Sequence, residues 1–283
     1  MESDPMEVPM KVEPFEFNQA RLSAFRRCHR RFFLKYRSDK PLLERSFTLV
    51  DRDWDAARLG QRFHLCMERL ARGLPMQSVA NGLPADQAAS LTKAWNYRCS
   101  LRADQFLTEY DLTVPFDHWL LTARADLLAR CSDGTVTIVD WKTGTNTNTD
   151  RLRRSDQARI LPFVVLEASS RLGWNTVTAS GITLVFWFAQ DPDNPLQLPY
   201  SQRQHEQNRS NLASIMGMID GLEGEEAFAR VPDDPATVDT VCRPCEYLHY
   251  CERNPTSAGP VQPIDYEEED LEAVWEAFDF SLD

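Results

Sequence analysis

At 283 residues, with 42% hydrophobic and 26% charged side chains, the chain is long enough to bury a sizeable core in one or two domains. A formal net charge of −12 argues against a surface that is basic throughout, and no uncharged apolar run approaches the roughly 18–20 residues of a membrane span. The opening "MESDPMEVPMKVEPFEF" is acidic and broken by proline, unlike a secretory leader, so a cytoplasmic setting is expected.

Residues 1–17 read as a flexible acidic N-terminus. Leu22, Phe25, Phe32, Phe33 and Tyr36 then predict a helix over 18–36. Its basic side chains run from Arg21 to Arg37 with no acid among them, and Arg26, Arg27, Arg30 and Arg31 could grip a phosphate backbone or merely form a solvated face. A second helix is expected over 54–71, carrying "LGQRFHLCMERLA", and a third over 85–108 after the breaker "NGLP". The period then changes from helical to alternating, which gives strands at 109–117, 119–130 and 135–141, the last entered through "SDGT". A helix over 151–171 follows, bringing a second basic cluster of Arg151, Arg153, Arg154 and Arg159. "GITLVFWFAQ" reads as a buried strand, 201–222 as helix, and 256–283 as an acidic tail. Three strands, a helix and a further strand indicate an α/β core, an antiparallel meander followed by a crossover. No internal repeat and no G-x-x-x-x-G-K-[ST] phosphate loop is present, which excludes an NTP-driven motor acting by itself.

Within "TVTIVDWKTG" (135–144), Asp140 and Lys142 fall on one face of a strand, as a salt bridge or the start of a site. Asp126 lies on the preceding strand, and hairpin partners approach to about 5 Å. Two carboxylates that close repel unless a cation stands between them, and hard oxygen donors suit magnesium or manganese. Lys142 could then orient an attacking water, with His64 as a further ligand and Glu109 as an acid behind the ligands. Of the seven cysteines, Cys242, Cys245 and Cys251 form a compact C-x2-C-x5-C trio. Cys28 is the best fourth, and the spacing alone admits either a structural zinc or an iron–sulfur cluster. Cys66, Cys99 and Cys131 are expected to be buried free thiols.

In combination these residues resemble the PD-(D/E)XK nuclease superfamily, and within it the RecB-like branch. The matching pieces are His64 after Gly60, Asp126, the Asp140-Trp141-Lys142 triplet, and Gln157 in the following helix. Two positions depart from the pattern: Ala123 and Arg124 where a glycine is common, and Leu161 where a tyrosine usually follows the glutamine. The four cysteines, with Phe32 and Tyr36 after Cys28, look like the subgroup bearing a [4Fe-4S] cluster. That subgroup includes AddB-type nuclease domains and CRISPR-associated adaptation nucleases. The resemblance implies a restriction-endonuclease-like core, a mixed central sheet flanked by helices, with a helical N-terminal part and a C-terminal cysteine loop. One nuclease domain over 18–255 is expected, closed by Cys28 with Cys242, Cys245 and Cys251. The implied activity is a metal-dependent exodeoxyribonuclease acting on single-stranded DNA or free ends, and the implied partners are a helicase or CRISPR adaptation proteins. The metal would be held by His64, Asp126, Asp140 and the backbone carbonyl of Trp141, with Lys142 and Gln157 completing the catalytic set. The alternative is a catalytically idle, cluster-stabilised DNA-binding subunit of a larger nuclease or CRISPR complex.

Overall fold

A computed structural model describes residues 15–38, 51–144 and 148–253, with side chains from residue 59 onward in the second stretch. The acidic segments expected at 1–17 and 256–283 lie outside the described residues, except for 15–17.

A two-residue strand, β1 (Glu16–Phe17), precedes two helices where the sequence predicts one: α1 (Gln19–Arg27) and α2 (His29–Tyr36). Cys28 stands between them in extended backbone, and Asn18 caps α1 by accepting the Arg21 N–H. Next come α3 (Asp51–Ala71), α4 (Met76–Val79) and α5 (Ala85–Ser100). The last of these ends eight residues before the predicted boundary at 108. Residues 105–108 instead open β2 (Gln105–Phe116), because they pair with Arg130–Leu127 of β3 (Trp119–Arg130). A full antiparallel ladder outweighs local helix propensity there.

β4 (Val136–Lys142) follows a tight turn that needs Gly134: its φ is 90°, and a Cβ there would stand 2.5 Å from the Thr176 carbonyl oxygen. The helix predicted over 151–171 is likewise two, α6 (Thr149–Arg154) and α7 (Asp156–Ala168), because the Ser155 hydroxyl accepts the Ala158 N–H and starts a new helix. β5 (Ile182–Phe188), β6 (Leu196–Pro199) and α8 (Gln202–Asp220) complete the core. Two short helices, α9 (Gly224–Ala227) and α10 (Pro235–Thr237), lead into a π-helical turn at Val238–Cys242.

The strands form one mixed sheet. β2, β3 and β4 are an antiparallel meander, β5 joins β4 in parallel, β6 pairs antiparallel with β5, and β1 lies parallel to the start of β3. On one face Phe25, Phe32, Phe163 and Met216 of the helices meet Leu128, Ile138, Leu184 and Phe186 of the sheet. On the other, Phe63, Met67 and Leu91 from α3 and α5 cover Leu127, Val139, Val185 and Trp187. Side chains such as Phe163 and Phe186, with no exposure at all, contribute roughly 1.5–3 kcal/mol each.

One edge of β3 belongs to β2 along its length. The opposite edge is shared, β1 taking residues 120–121 and β4 taking 127–130. Between them, residues 122–126 have no strand partner on that side among the described residues, and the sheet opens.

Candidate active site

The opening is where three carboxylates line up. The last β3–β4 pair is Leu127 with Val139, so the next in register would set Asp126 against Asp140. Across the other edge, Thr108 pairs with Leu127 and Tyr110 with Ala125, which puts Glu109 level with Asp126 but outside the ladder. Both ladders therefore lapse at Asp126, where like charges side by side oppose pairing. The Asp126 carboxylate partly bridges the gap, its Oδ2 accepting the Trp141 N–H at 2.8 Å.

Glu109 leaves the ladder by adopting a left-handed backbone, φ 48°. Among the described residues the other non-glycine positive φ values belong to Asp117, in the β2–β3 turn, and Glu252, after the last helical turn. Glu109 holds this conformation inside a strand, at a cost on the order of 1–3 kcal/mol.

His64 of α3 meets this row from outside the sheet. Its Nδ1 is 3.1 Å from Glu109 Oε1 and 3.4 Å from Asp126 Oδ1. One ligating atom from each of the three residues lies within 4.8 Å of the others. The helix can approach because Gly60 precedes His64 by one turn: a Cβ at Gly60 would press to 3.3 Å from Thr143 Oγ1. Burial by itself would lower the His64 pKa, but hydrogen bonds that its ring N–H donates to the Asp126 and Glu109 carboxylates, with their charges, push it up to about 11. Burial would raise Glu109, yet His64 and Arg124 hold it below the usual carboxylate range. Arg124 Nε donates to Glu109 Oε2 at 3.1 Å, leaving Oε1 directed at the imidazole.

At the other end of the row Lys142 Nζ lies 3.1 Å from Asp140 Oδ2 and donates to Gln157 Oε1 at 2.9 Å. Gln157, in the first turn of α7, also donates through Nε2 to Asp140 Oδ1. The amide thus clamps acid and base together. Burial raises the Asp140 pKa, and the Lys142 charge only partly counters it. Asp140 Oδ2 is buried without an aligned hydrogen bond, and Asp140 stands apart from the close group of His64, Glu109 and Asp126. A buried carboxylate near Asp126 and His64, balanced by a single lysine, fits a hard divalent cation. Trp141 offers the site only its backbone. Its side chain is in the opposite core, edge-on to Tyr97 and Trp187.

The arginines of the N-terminal helices are turned inward, which corrects the expectation of a solvent-facing basic row. Arg26 pairs with Asp156 at the start of α7. Arg27, 4% exposed, donates to the Val241 carbonyl at 3.4 Å. Arg30 donates to the Phe228 carbonyl at 2.9 Å and pairs with Glu225 at 2.7 Å, while Arg31 pairs with Glu246 at 3.1 Å. The acids that neutralise them lie far along the chain, so a window confined to 21–37 shows only the positive charge. Arg153 and Arg154 of α6, by contrast, are exposed.

Cys28, Cys242, Cys245 and Cys251 line one cavity, with Arg230 and Arg253 also on its wall. Burial, and then the charge of neighbouring groups, pushes Cys242 up to about 12 and Cys245 up to about 11. The two arginines were not anticipated, although Arg253 follows Cys251 by only two residues. Arg230 donates to the Cys251 carbonyl at 3.0 Å and Arg253 to that of Val231 at 2.9 Å. Of the other thiols, Cys66 is buried as expected, but Cys131 is half-buried and Cys99 exposed.

A mixed sheet flanked by helices, with this row at the break in its ladder, is a restriction-endonuclease-like architecture. Residues 16–252 match the PD-(D/E)XK nuclease superfamily, whose members use divalent metals, and the chain belongs to that superfamily. No curated protein sequence matches it. Among solved structures it is similar to a protein described as a candidate exonuclease from Eubacterium rectale, with 9% identity over 91% of this chain and 97% of that one and a TM-score of 0.47. It is also similar to SSO0001, with 13% identity over 67% of this chain and 80% of that one and a TM-score of 0.32. Neither likeness bears on activity. No helix among the described residues is long and apolar enough to cross a membrane.

Proposed function

We propose that the chain is a metal-dependent DNA nuclease whose catalytic set is His64, Asp126, Asp140, Lys142 and Gln157. The observation that carries this reading is the buried Asp140 carboxylate in register with Asp126, with Lys142 held next to it. His64, Asp126, Asp140 and the Trp141 carbonyl hold magnesium or manganese, which when bound polarises the scissile phosphate and acidifies a water. Lys142 presents its ammonium to the attacking water and to the charge that builds on the phosphoryl oxygen. Gln157 keeps that ammonium against Asp140 and stops it from swinging into solvent. Arg153 and Arg154 contact the phosphate backbone, since they are exposed on the helix that follows β4.

The substrate is single-stranded DNA or DNA with free ends, processed exonucleolytically, in keeping with the RecB-like resemblance of the D-x-K and cysteine motifs. Partners of the same provenance are a helicase or CRISPR adaptation proteins, in the cytoplasm. The four-cysteine cavity takes a [4Fe-4S] cluster. Its support is that the four thiols line one cavity. Residues 18–255 act as one domain, supported by the arginine pairs that join α1 and α2 to residues 225–246.

End-labelled single- and double-stranded DNA, incubated with magnesium, manganese or EDTA, tests the activity. Metal-dependent release of short products from single strands is expected. Tight DNA binding with no cleavage under any metal would overturn the nuclease assignment.

A further inference from the structure

We propose that Arg26 is a positioning residue for catalysis: from α1 it grips Asp156 and thereby holds Gln157, the next residue of α7, between Asp140 and Lys142. The inference rests on the nuclease reading above and adds to it a residue of the N-terminal helices.

Gln157 makes two bonds at once. Its Oε1 accepts from Lys142 Nζ at 2.9 Å, and its Nε2 donates to Asp140 Oδ1. One amide serves both partners only if its plane is fixed, since hydrogen bonds weaken steeply below about 120°. The helix that carries it has a weak point close by. Pro162 stands inside α7 and, lacking an N–H, cannot donate to the Ala158 carbonyl one turn back. The first turn is therefore joined to the apolar body of the helix by one bond fewer than usual, and its orientation is open to contacts from outside.

Those contacts divide the work. The Ser155 hydroxyl and the Asn208 amide hold the backbone of the turn, at the Ala158 N–H and the Arg159 carbonyl. Arg26 holds a side chain at its start, Nη1 donating to Asp156 Oδ1 at 2.5 Å. The pair joins residues 130 apart in sequence, and its side chains are only 27% and 11% exposed. Arg159 approaches the same oxygen to 3.8 Å, but it belongs to α7 and moves with it. The helix behind Arg26 is itself fixed, because Leu22 and Phe25 of α1 are buried in one apolar cluster with Ile160, Leu161 and Val164 of α7. Successive helical residues stand about 100° apart around the axis, so a hold on Asp156 sets where Gln157 faces.

The competing possibility is that Asp156 favours the helix start for its own sake and Arg26 only stabilises the fold. The two differ at Lys142, whose side chain is 10% exposed. Trace labelling of the full-length protein with acetic anhydride, without metal or DNA, reads how firmly that amine is held, with the exposed Lys93 as internal reference. We expect Arg26→Ala to raise Lys142 labelling relative to Lys93 by about threefold or more, the weight of one net hydrogen bond. Gln157→Ala should do the same. Adding Arg26→Ala to Gln157→Ala should raise it no further, because a residue acting through Gln157 then has nothing left to act on. Single-turnover cleavage of end-labelled single-stranded DNA by Arg26→Ala should fall by about tenfold or more. Unchanged labelling, unchanged cleavage, or an equal further rise in the Gln157→Ala background would overturn the proposal and leave the pair a structural clamp. Asp156→Asn, which keeps the shape but not the charge, is read in its place should the alanine form fold poorly, with the same outcomes. An unmodified protein that does not cleave sinks the nuclease reading, while the labelling cycle stands or falls by itself.

Discussion

A proton and a metal ion compete for His64. The imidazole Nδ1 faces two carboxylates, 3.1 and 3.4 Å away, and its pKa is pushed up to about 11. To bind a cation through that nitrogen the ring must first give up its proton. A pKa of about 11 stands four pH units above neutrality, and at about 1.36 kcal/mol per unit the deprotonation costs on the order of 5 kcal/mol at pH 7. The apparent Mn2+ affinity should therefore rise about tenfold per pH unit between pH 7 and 9, with close to one proton released per metal bound. Calorimetric titration in two buffers of different ionisation enthalpy measures that proton directly. His64→Asn removes the titrating group and should flatten the slope. An unmodified protein whose Mn2+ affinity is level across this range, or which releases no proton, would refute the idea that the metal displaces the proton at His64.

Without metal the same arrangement has a signature of opposite sign. The folded-state pKa of His64 lies above the ordinary 6.5, so its stabilisation is complete below pH 6.5 and fades as pH climbs toward about 11, and thermal melts in EDTA should fall across that window. Asp140→Asn should abolish cleavage and weaken metal binding, whereas Lys142→Ala should leave metal binding near normal and lower single-turnover cleavage by orders of magnitude; equal effects on binding from both would contradict the separate roles. Arg30→Ala should destabilise the fold by roughly 1–3 kcal/mol, seen in urea melts, because it takes the donor from the buried Phe228 carbonyl. Replacing Arg153 and Arg154 with alanine should reduce the slope of DNA affinity against salt, and an unchanged slope would remove them from the DNA-contacting surface. Protein prepared without oxygen should be brown, with broad absorbance near roughly 400 nm that Cys245→Ala removes, and a colourless preparation with one zinc per chain would replace the iron–sulfur assignment.

The sheet was legible in the sequence because alternation over 109–141 is long and regular, and the D-x-K spacing sets Asp140 and Lys142 on one face. β1, with two residues, and β6, with four, are too short to display a period. The splits at Cys28 and Ser155 escaped notice since each interrupts a helical pattern for one residue only. Asp126 and Asp140 could be paired from hairpin geometry. Glu109 was harder to place, because its position depends on a backbone twist that no pattern of residue types records. The arginines were misread for a related reason. A run of cations in sequence says nothing of Asp156, Glu225 and Glu246, which neutralise it from more than a hundred residues away.

Those distances also set an order of events during synthesis. Arg30 and Arg31 find their carboxylates 195 and 215 residues later in the chain. At translation rates of about 5–20 residues per second, the N-terminal helices wait roughly 10–40 s before those partners exist. Until then their guanidinium groups have only water and other anions for company, and the apolar side of α1 and α2 has no finished sheet to cover. Contacts of such long range form late and slow the search for the native state. The joint between the chain's two ends is thus the closing step of folding, and a ribosome-stalled chain ending near residue 220 should keep α1 and α2 open to protease after the central strands are protected.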